Sequence, residues 1–139
     1  MRIAFGTDEE TALATFVVEE LERLGHAVVR VAPGAQWPEV GRAGAEAVAG
    51  ARAQRAVVCC WTGTGVAMAA NKVRGARAAL CTDSATAEGA RRWNDANVLA
   101  IGLRLTSPEV AREMLEAFLG TDPDGSEREA ISRVEGPLE

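Results

Sequence analysis

The chain has 139 residues, 47% hydrophobic and 25% charged, a balance that fits one globular domain over residues 1–139 and excludes a disordered chain. Its net charge of −5 and aromatic content of 4% disfavour a nucleic-acid partner, which wants a basic face and stacking platforms. No apolar run reaches the ~20 residues of a membrane span. Met1-Arg2 leads straight into Ile3-Ala4-Phe5 with no secretory signal, so a cytoplasmic protein without a membrane partner is expected.

Short apolar runs rich in β-branched residues recur along the chain. They cover Ile3–Phe5, Ala27–Val31, Ala56–Cys60, Ala76–Cys81 and Asn97–Ile101. Each is nearly continuous and bounded by Gly, Asp, Asn or Pro, the pattern of strands buried on both faces. Segments of helical period separate them. Glu10–Leu24 places Leu13, Phe16, Val17, Leu21 and Leu24 on one side. Pro38–Gly50 opens on a proline suited to a first helical turn. Val66–Val73, Ser84–Trp93 and Pro108–Leu119 follow, the last behind a Ser107-Pro108 cap. Gly25 and Gly120 stand where helix ends favour a positive φ, and Ser126–Val134 predicts a last helix, suited to packing on a partner chain. Strand and helix alternate five times. That alternation predicts a Rossmann-like α/β fold: three α/β/α layers around a five-stranded parallel sheet, with a C-terminal helix. Ligands of such sheets bind beyond the carboxyl ends of the strands.

Three candidates lie at that edge. Cys60-Trp61-Thr62-Gly63-Thr64-Gly65 runs from the third strand into a helix. Its glycines let main chain approach a ligand closely, and its amides can hold an anion or an oxyanion. A thiolate at Cys60 beside such amides is a candidate proton-abstracting base. The bland reading makes Cys60 a small buried hydrophobe. Cys59 points to the opposite face and, like Cys81, reads as core. Asp8 closes the first strand, as a ligand for hydroxyls or as a helix N-cap. Gly63-x-Gly65 with Asp83 about 20 residues on invites a dinucleotide reading, but the motif follows the third strand and its third glycine position is Met68. Three cysteines without a CxxC pair and a single histidine, His26, point to free thiols and no structural metal.

Several blocks together resemble the ribose-5-phosphate isomerase B family, which includes the galactose-6-phosphate isomerase subunits. They are Arg2-Ile3-Ala4-Phe5-Gly6-Thr7-Asp8, Cys60 through Lys72 (CWTGTGVAMAANK against a usual CGTGxGxxxAANK), Gly75-x-Arg77-Ala78-Ala79, Asn94-Asp95-Ala96-Asn97-Val98-Leu99 and Gly102-x-Arg104. The resemblance implies an isomerase of aldoses and ketoses, acting on a sugar or sugar phosphate through an enediol without metal or cofactor. It implies Cys60 as the base, Thr62 and Asn94 as assistants, and Asp8 as the holder of sugar hydroxyls. The amides of Gly63, Thr64 and Gly65 would stabilise the oxyanion. It also implies a homodimer or higher oligomer with sites built across the interface.

The departures from that pattern are specific. The histidine that follows the family's first Asp and binds phosphate is replaced by Glu9. The ring-opening histidine before Asn94 is Trp93. The glycine after the cysteine is Trp61, and the tyrosine of an Asp-Tyr-Pro segment is matched by Trp37. Of two tail arginines that clamp phosphate, Arg133 matches the second, while the first falls near Glu129, with Arg128 one residue away. A carboxylate about 4 Å from a phosphate charge repels it by roughly 4 kcal/mol at an effective dielectric near 20, several hundredfold in affinity. An altered substrate, with at least two of Trp37, Trp61 and Trp93 lining one pocket, is therefore expected. The rival expectation is a homologue that binds a sugar or small ligand and has lost catalysis.

Overall fold

The computed structural model describes residues 1–137. Its strands are β1 (Arg2–Thr7), β2 (Ala27–Arg30), β3 (Arg55–Cys60), β4 (Ala78–Leu80) and β5 (Val98–Gly102). They form one sheet in the order β2-β1-β3-β5-β4, every pairing parallel. Parallel neighbours need crossovers. These are α1 (Ala12–Arg23), α2 (Trp37–Ala49), α3 (Thr64–Ala70) and α4 (Ser84–Asn94), with α5 (Pro108–Gly120) after β5. A single 3-10 turn, Gly125–Glu127, leads into the short α6 (Arg128–Ser132). The expected three-layer architecture is present.

Strand alternation sorts the core into two halves. Ile3, Phe5, Val57, Cys59, Leu99 and Ile101 face α1, α4 and α5, where Leu21, Met114, Leu115 and Phe118 meet them. Ala4, Ala56, Val58, Cys60, Val98 and Ala100 face α2 and α3. The second half is made of small residues, and its helices come unusually close. A Cβ on Gly41 of α2 would lie 2.5 Å from the carbonyl oxygen of Val66 in α3. One on Gly44 would lie 2.6 Å from Val58 Cγ1.

Some local expectations are corrected. β2 and β4 are the sheet's two edges and are exposed or half-buried rather than buried on both faces. The N-cap of α1 is Thr11, whose hydroxyl accepts from Ala14 N at 3.1 Å. Asp8 is left free of a capping role. Gly25 does adopt a positive φ of 91°, but Gly120 stays within α5, which ends on an extended Thr121. Asp83 caps α4 by accepting from Thr86 N at 2.7 Å. That gives it a local structural duty in place of the ribose contact a dinucleotide site would ask of it.

Topology fixes where a ligand can enter. The chain leaves β1 outward to β2, then returns past β1 to β3 on its other side. The strand order reverses between β1 and β3, and the crevice at such a reversal lies beyond their carboxyl ends.

Candidate active site

The loops after β1 and β3 meet at that crevice. Asp8 N donates to the Cys59 carbonyl at 3.2 Å, which ties the end of β1 to β3. The Thr7 hydroxyl, itself buried, donates to the Glu9 carbonyl at 2.7 Å and folds the loop back. Asp8 is thereby held half-buried, with Oδ1 sealed from solvent and without a hydrogen-bond partner among the described residues. Burial, and then the neighbouring Glu9 carboxylate, push its pKa above the ordinary value. A buried unpaired carboxylate oxygen is costly, because its lost hydration is not replaced. It is therefore a place to look for a ligand's hydroxyl.

The β3–α3 loop is held from the other side by β5. Leu103 N donates to the Cys60 carbonyl at 2.9 Å and Arg104 N to the Trp61 carbonyl at 3.0 Å. The seat works only without side chains. A Cβ on Gly102 would lie 2.7 Å from the Thr62 carbonyl oxygen. Gly63 turns the loop at a φ of 79°, and a Cβ there would lie 2.9 Å from Gly102 N. The Thr62 and Thr64 hydroxyls share a hydrogen bond of 2.7 Å. The first amides of α3 have no acceptor within the helix and are available to a ligand.

Asp8, Cys60, Trp61, Thr62, Thr64 and Gly65 line one cavity of about 360 Å³, completed by Trp37 from α2 and Met68 from α3. That volume lies within the range of small-molecule sites. Cys60 is 5% exposed and looks into it. Cys59 and Cys81 are sealed in the opposite half of the core. Burial, and secondarily Asp83, push the Cys81 thiol up to about 11; burial pushes Cys59 higher still. Trp61 is 55% and Trp37 44% exposed. Met68 escaped the sequence reading as a wall residue. Its helical spacing from Thr64 and Gly65 was the available signal.

Other expected site residues lie apart within this chain. Glu9 is exposed beside Asp8 and does not line the cavity. Trp93, 55% exposed, rests on Gly89 and borders a different groove with Glu88 and Arg92. Asn94 is exposed and borders a third, with Asn71, Arg77 and Val134. Arg133 is exposed and forms a two-point ion pair with Glu129, at 2.9 and 3.0 Å. One chain thus brings two of the three tryptophans, Trp37 and Trp61, to one cavity, as expected, while Trp93 lies apart. Among the described residues, no three His, Cys, Asp or Glu side chains cluster closely enough to share a metal ion. Among the described residues, no helix is long and apolar enough to cross a membrane.

Comparison with known proteins places this geometry. The ribose/galactose isomerase family model matches residues 3–135. A D-erythrulose-4-phosphate isomerase of Pectobacterium atrosepticum is 40% identical over 64% of this chain and 59% of its own length. Ribose-5-phosphate isomerase B of Escherichia coli is 37% identical over 71% of this chain and 69% of its own. The matched stretch thus spans about three-fifths to two-thirds of these relatives' length. Ribose-5-phosphate isomerase B of Clostridium thermocellum superposes with a TM-score of 0.91 at 31% identity, covering 97% of this chain and 95% of that one. Sequence and structure agree that the chain belongs to the ribose/galactose isomerase family.

Proposed function

We propose that the protein is an aldose–ketose isomerase with Cys60 as its base. The supporting observation is that Cys60, unlike Cys59 and Cys81, opens into a cavity. It shares that cavity with the unpartnered Asp8 oxygen and the β3–α3 loop. The Cys60 thiolate takes the proton from the hydroxyl-bearing carbon beside the carbonyl. The electrons move onto the carbonyl oxygen, where the loop amides receive the charge. The thiol then returns a proton to the former carbonyl carbon, the hydroxyl proton passes to the other oxygen, and the ketose results. Asp8 holds substrate hydroxyls, and Thr62 and Thr64 support the loop's donors.

Trp93, Asn94 and Arg133 enter this reading through a second copy of the chain. Their exposure on one protomer and the interface-built sites implied by the family resemblance support a homodimer. Hybrid dimers of Cys60→Ala and Asn94→Ala chains would regain activity that each homodimer lacks. Trp93 offers no acid–base group near neutral pH, so an open-chain or freely opening substrate suits the site best.

The direct test is solvent deuterium incorporation beside the carbonyl over a panel of sugars and sugar phosphates. Incorporation that disappears in Cys60→Ala is expected; full incorporation by that variant contradicts the role of the base.

A further inference from the structure

Asn94 is the last residue of α4 and stands exposed, so its direction is set by the backbone that carries it. That backbone is held more firmly than the end of a helix requires. The helix stop is already complete: Asp95 N donates to the Arg91 carbonyl at 3.1 Å and Ala96 N to the Ala90 carbonyl at 3.0 Å. Asp95 makes the turn at a φ of 48°, a left-handed conformation that few residues other than glycine adopt.

Two arginines then grip the same turn from different elements. Arg91, on α4 and with a side chain 5% exposed, donates from Nη1 to Asp95 Oδ1 and to the Ala96 carbonyl, both at 2.7 Å. Burial accounts for that pair, since a buried guanidinium needs a counter-charge. Arg77 reaches the turn from the segment just before β4. Its Nε donates to the Asp95 carbonyl at 2.8 Å and its Nη2 to Asp95 Oδ2 at 3.3 Å. The planar guanidinium thus holds the main chain and the side chain of one residue at once, a fork that fixes orientation as well as distance. Asn97 ties the two segments together: its Oδ1 accepts from Arg77 N at 2.7 Å, and its Nδ2 donates to the Gly75 carbonyl at 2.9 Å. Arg77 and Asn94 line the same surface groove.

We propose that Arg77 is a positioning residue: through Asp95 it aims the Asn94 of one copy of the chain into the Cys60 cavity of a second copy. The proposal rests on the two-copy isomerase reading. Its test uses hybrid dimers purified by two different tags. The readout is deuterium incorporation over the sugar panel, with ribose 5-phosphate and erythrulose 4-phosphate as first probes. Arg77→Ala leaves the Asp95–Arg91 pair in place, so the end of α4 should hold, and thermal melts check the fold. One hybrid carries Arg77→Ala on one chain and Cys60→Ala on the other. The second carries both substitutions on one chain, opposite an unaltered partner. The two hybrids have the same composition, so a loss of stability alone cannot separate them.

The split hybrid keeps one site with both its thiol and its Asn94 turn intact; the joined hybrid keeps none. The joined hybrid should therefore exchange about 10- to 100-fold more slowly, the cost of a misplaced group. Arg77→Lys, which supplies charge without the fork, should recover only part of that loss. Equal rates in the two hybrids overturn the proposal, whether both are fast or both slow. If hybrids of Cys60→Ala and Asn94→Ala chains recover activity while the Arg77 hybrids stay equal, this proposal falls alone. If those control hybrids stay inactive, or the parent exchanges nothing in the panel, the reading beneath it falls and takes it down as well.

Discussion

The two faces of the sheet are built from different residues for different ends. Toward α1, α4 and α5 the core is large: Phe5, Leu21, Leu99, Ile101, Met114, Leu115 and Phe118 are all fully buried. Toward α2 and α3 it is small, with Ala4, Ala45, Ala56, Ala70 and Ala100 and glycines at the helix crossing. Large side chains remove more apolar area from water, at about 25 cal/mol per Å², and so dominate stability. Small ones yield less, but they let backbones approach until Trp37 reaches the first turn of α3. Cys59 and Cys60, adjacent on β3, fall one on each side of this division. The face that stabilises the fold and the face that shapes the site are therefore separable by mutation.

The sharpest way to break that comparison is the cysteine pair. Cys60→Ala should lower proton exchange by about 10²–10⁴-fold, the usual worth of a general base, with little change in melting temperature. Cys59→Ala should leave exchange nearly intact and lower stability through the cavity it creates. Exchange rates and thermal melts on both variants decide between them. On the large face, Phe118→Ala should cost about 3–5 kcal/mol. Phe118 is also flanked by the Arg55 and Arg91 guanidinium groups, 5.5 and 5.9 Å from the ring centroid. Denaturant melts should show the loss, and kcat of the folded fraction should stay unchanged.

Gly41→Ala probes the small face. The added methyl would press on the Val66 carbonyl, a backbone atom that cannot rotate away, and overpacking of this kind costs about 1–3 kcal/mol. Unlike Phe118→Ala, it should also weaken sugar binding, because α2 carries Trp37 away from Gly65. Melting and binding titrations of the same sample check both parts.

Asp8→Asn sharpens the picture from within the site. The native pKa of Asp8 is raised, so the folded chain holds that proton more tightly than the unfolded chain does. The resulting penalty is absent below the unfolded carboxylate value near 3.9 and grows as pH rises through the native pKa. Removing the charge should stabilise the protein at pH 7, because the amide carries no charge to desolvate. At about pH 3 the gain should vanish, since both states of the parent are then protonated. Urea melts at the two pH values measure this, and exchange activity should fall in the same variant.

Much of the fold was legible because alternating strand and helix patterns admit few parallel topologies. Edge strands were not. Ala27–Val31 and Ala76–Cys81 are mostly apolar apart from Arg30 and Arg77, and the sheet order puts them at the margins. Asp8 could be read from sequence as the cap of α1, but that duty falls to Thr11, whose hydroxyl accepts from Ala14 N. At the site, Asp8 and the Cys60–Gly65 loop were readable as residues at strand ends. Trp37 was matched by resemblance, but its seat depends on Gly41 and Gly65, two glycines whose partners lie on another helix. Trp93 could not be placed by spacing, since its indole turns back over Gly89 one turn earlier in α4.

One measurement bears most directly on Cys60 as the proposed base: mass-spectrometric mapping of iodoacetamide alkylation on the native protein. Cys60 should be modified first, with Cys59 and Cys81 protected, and exchange activity should decline in step with its labelling. Labelling of Cys59 or Cys81 ahead of Cys60, or full activity after Cys60 is alkylated, would contradict the account.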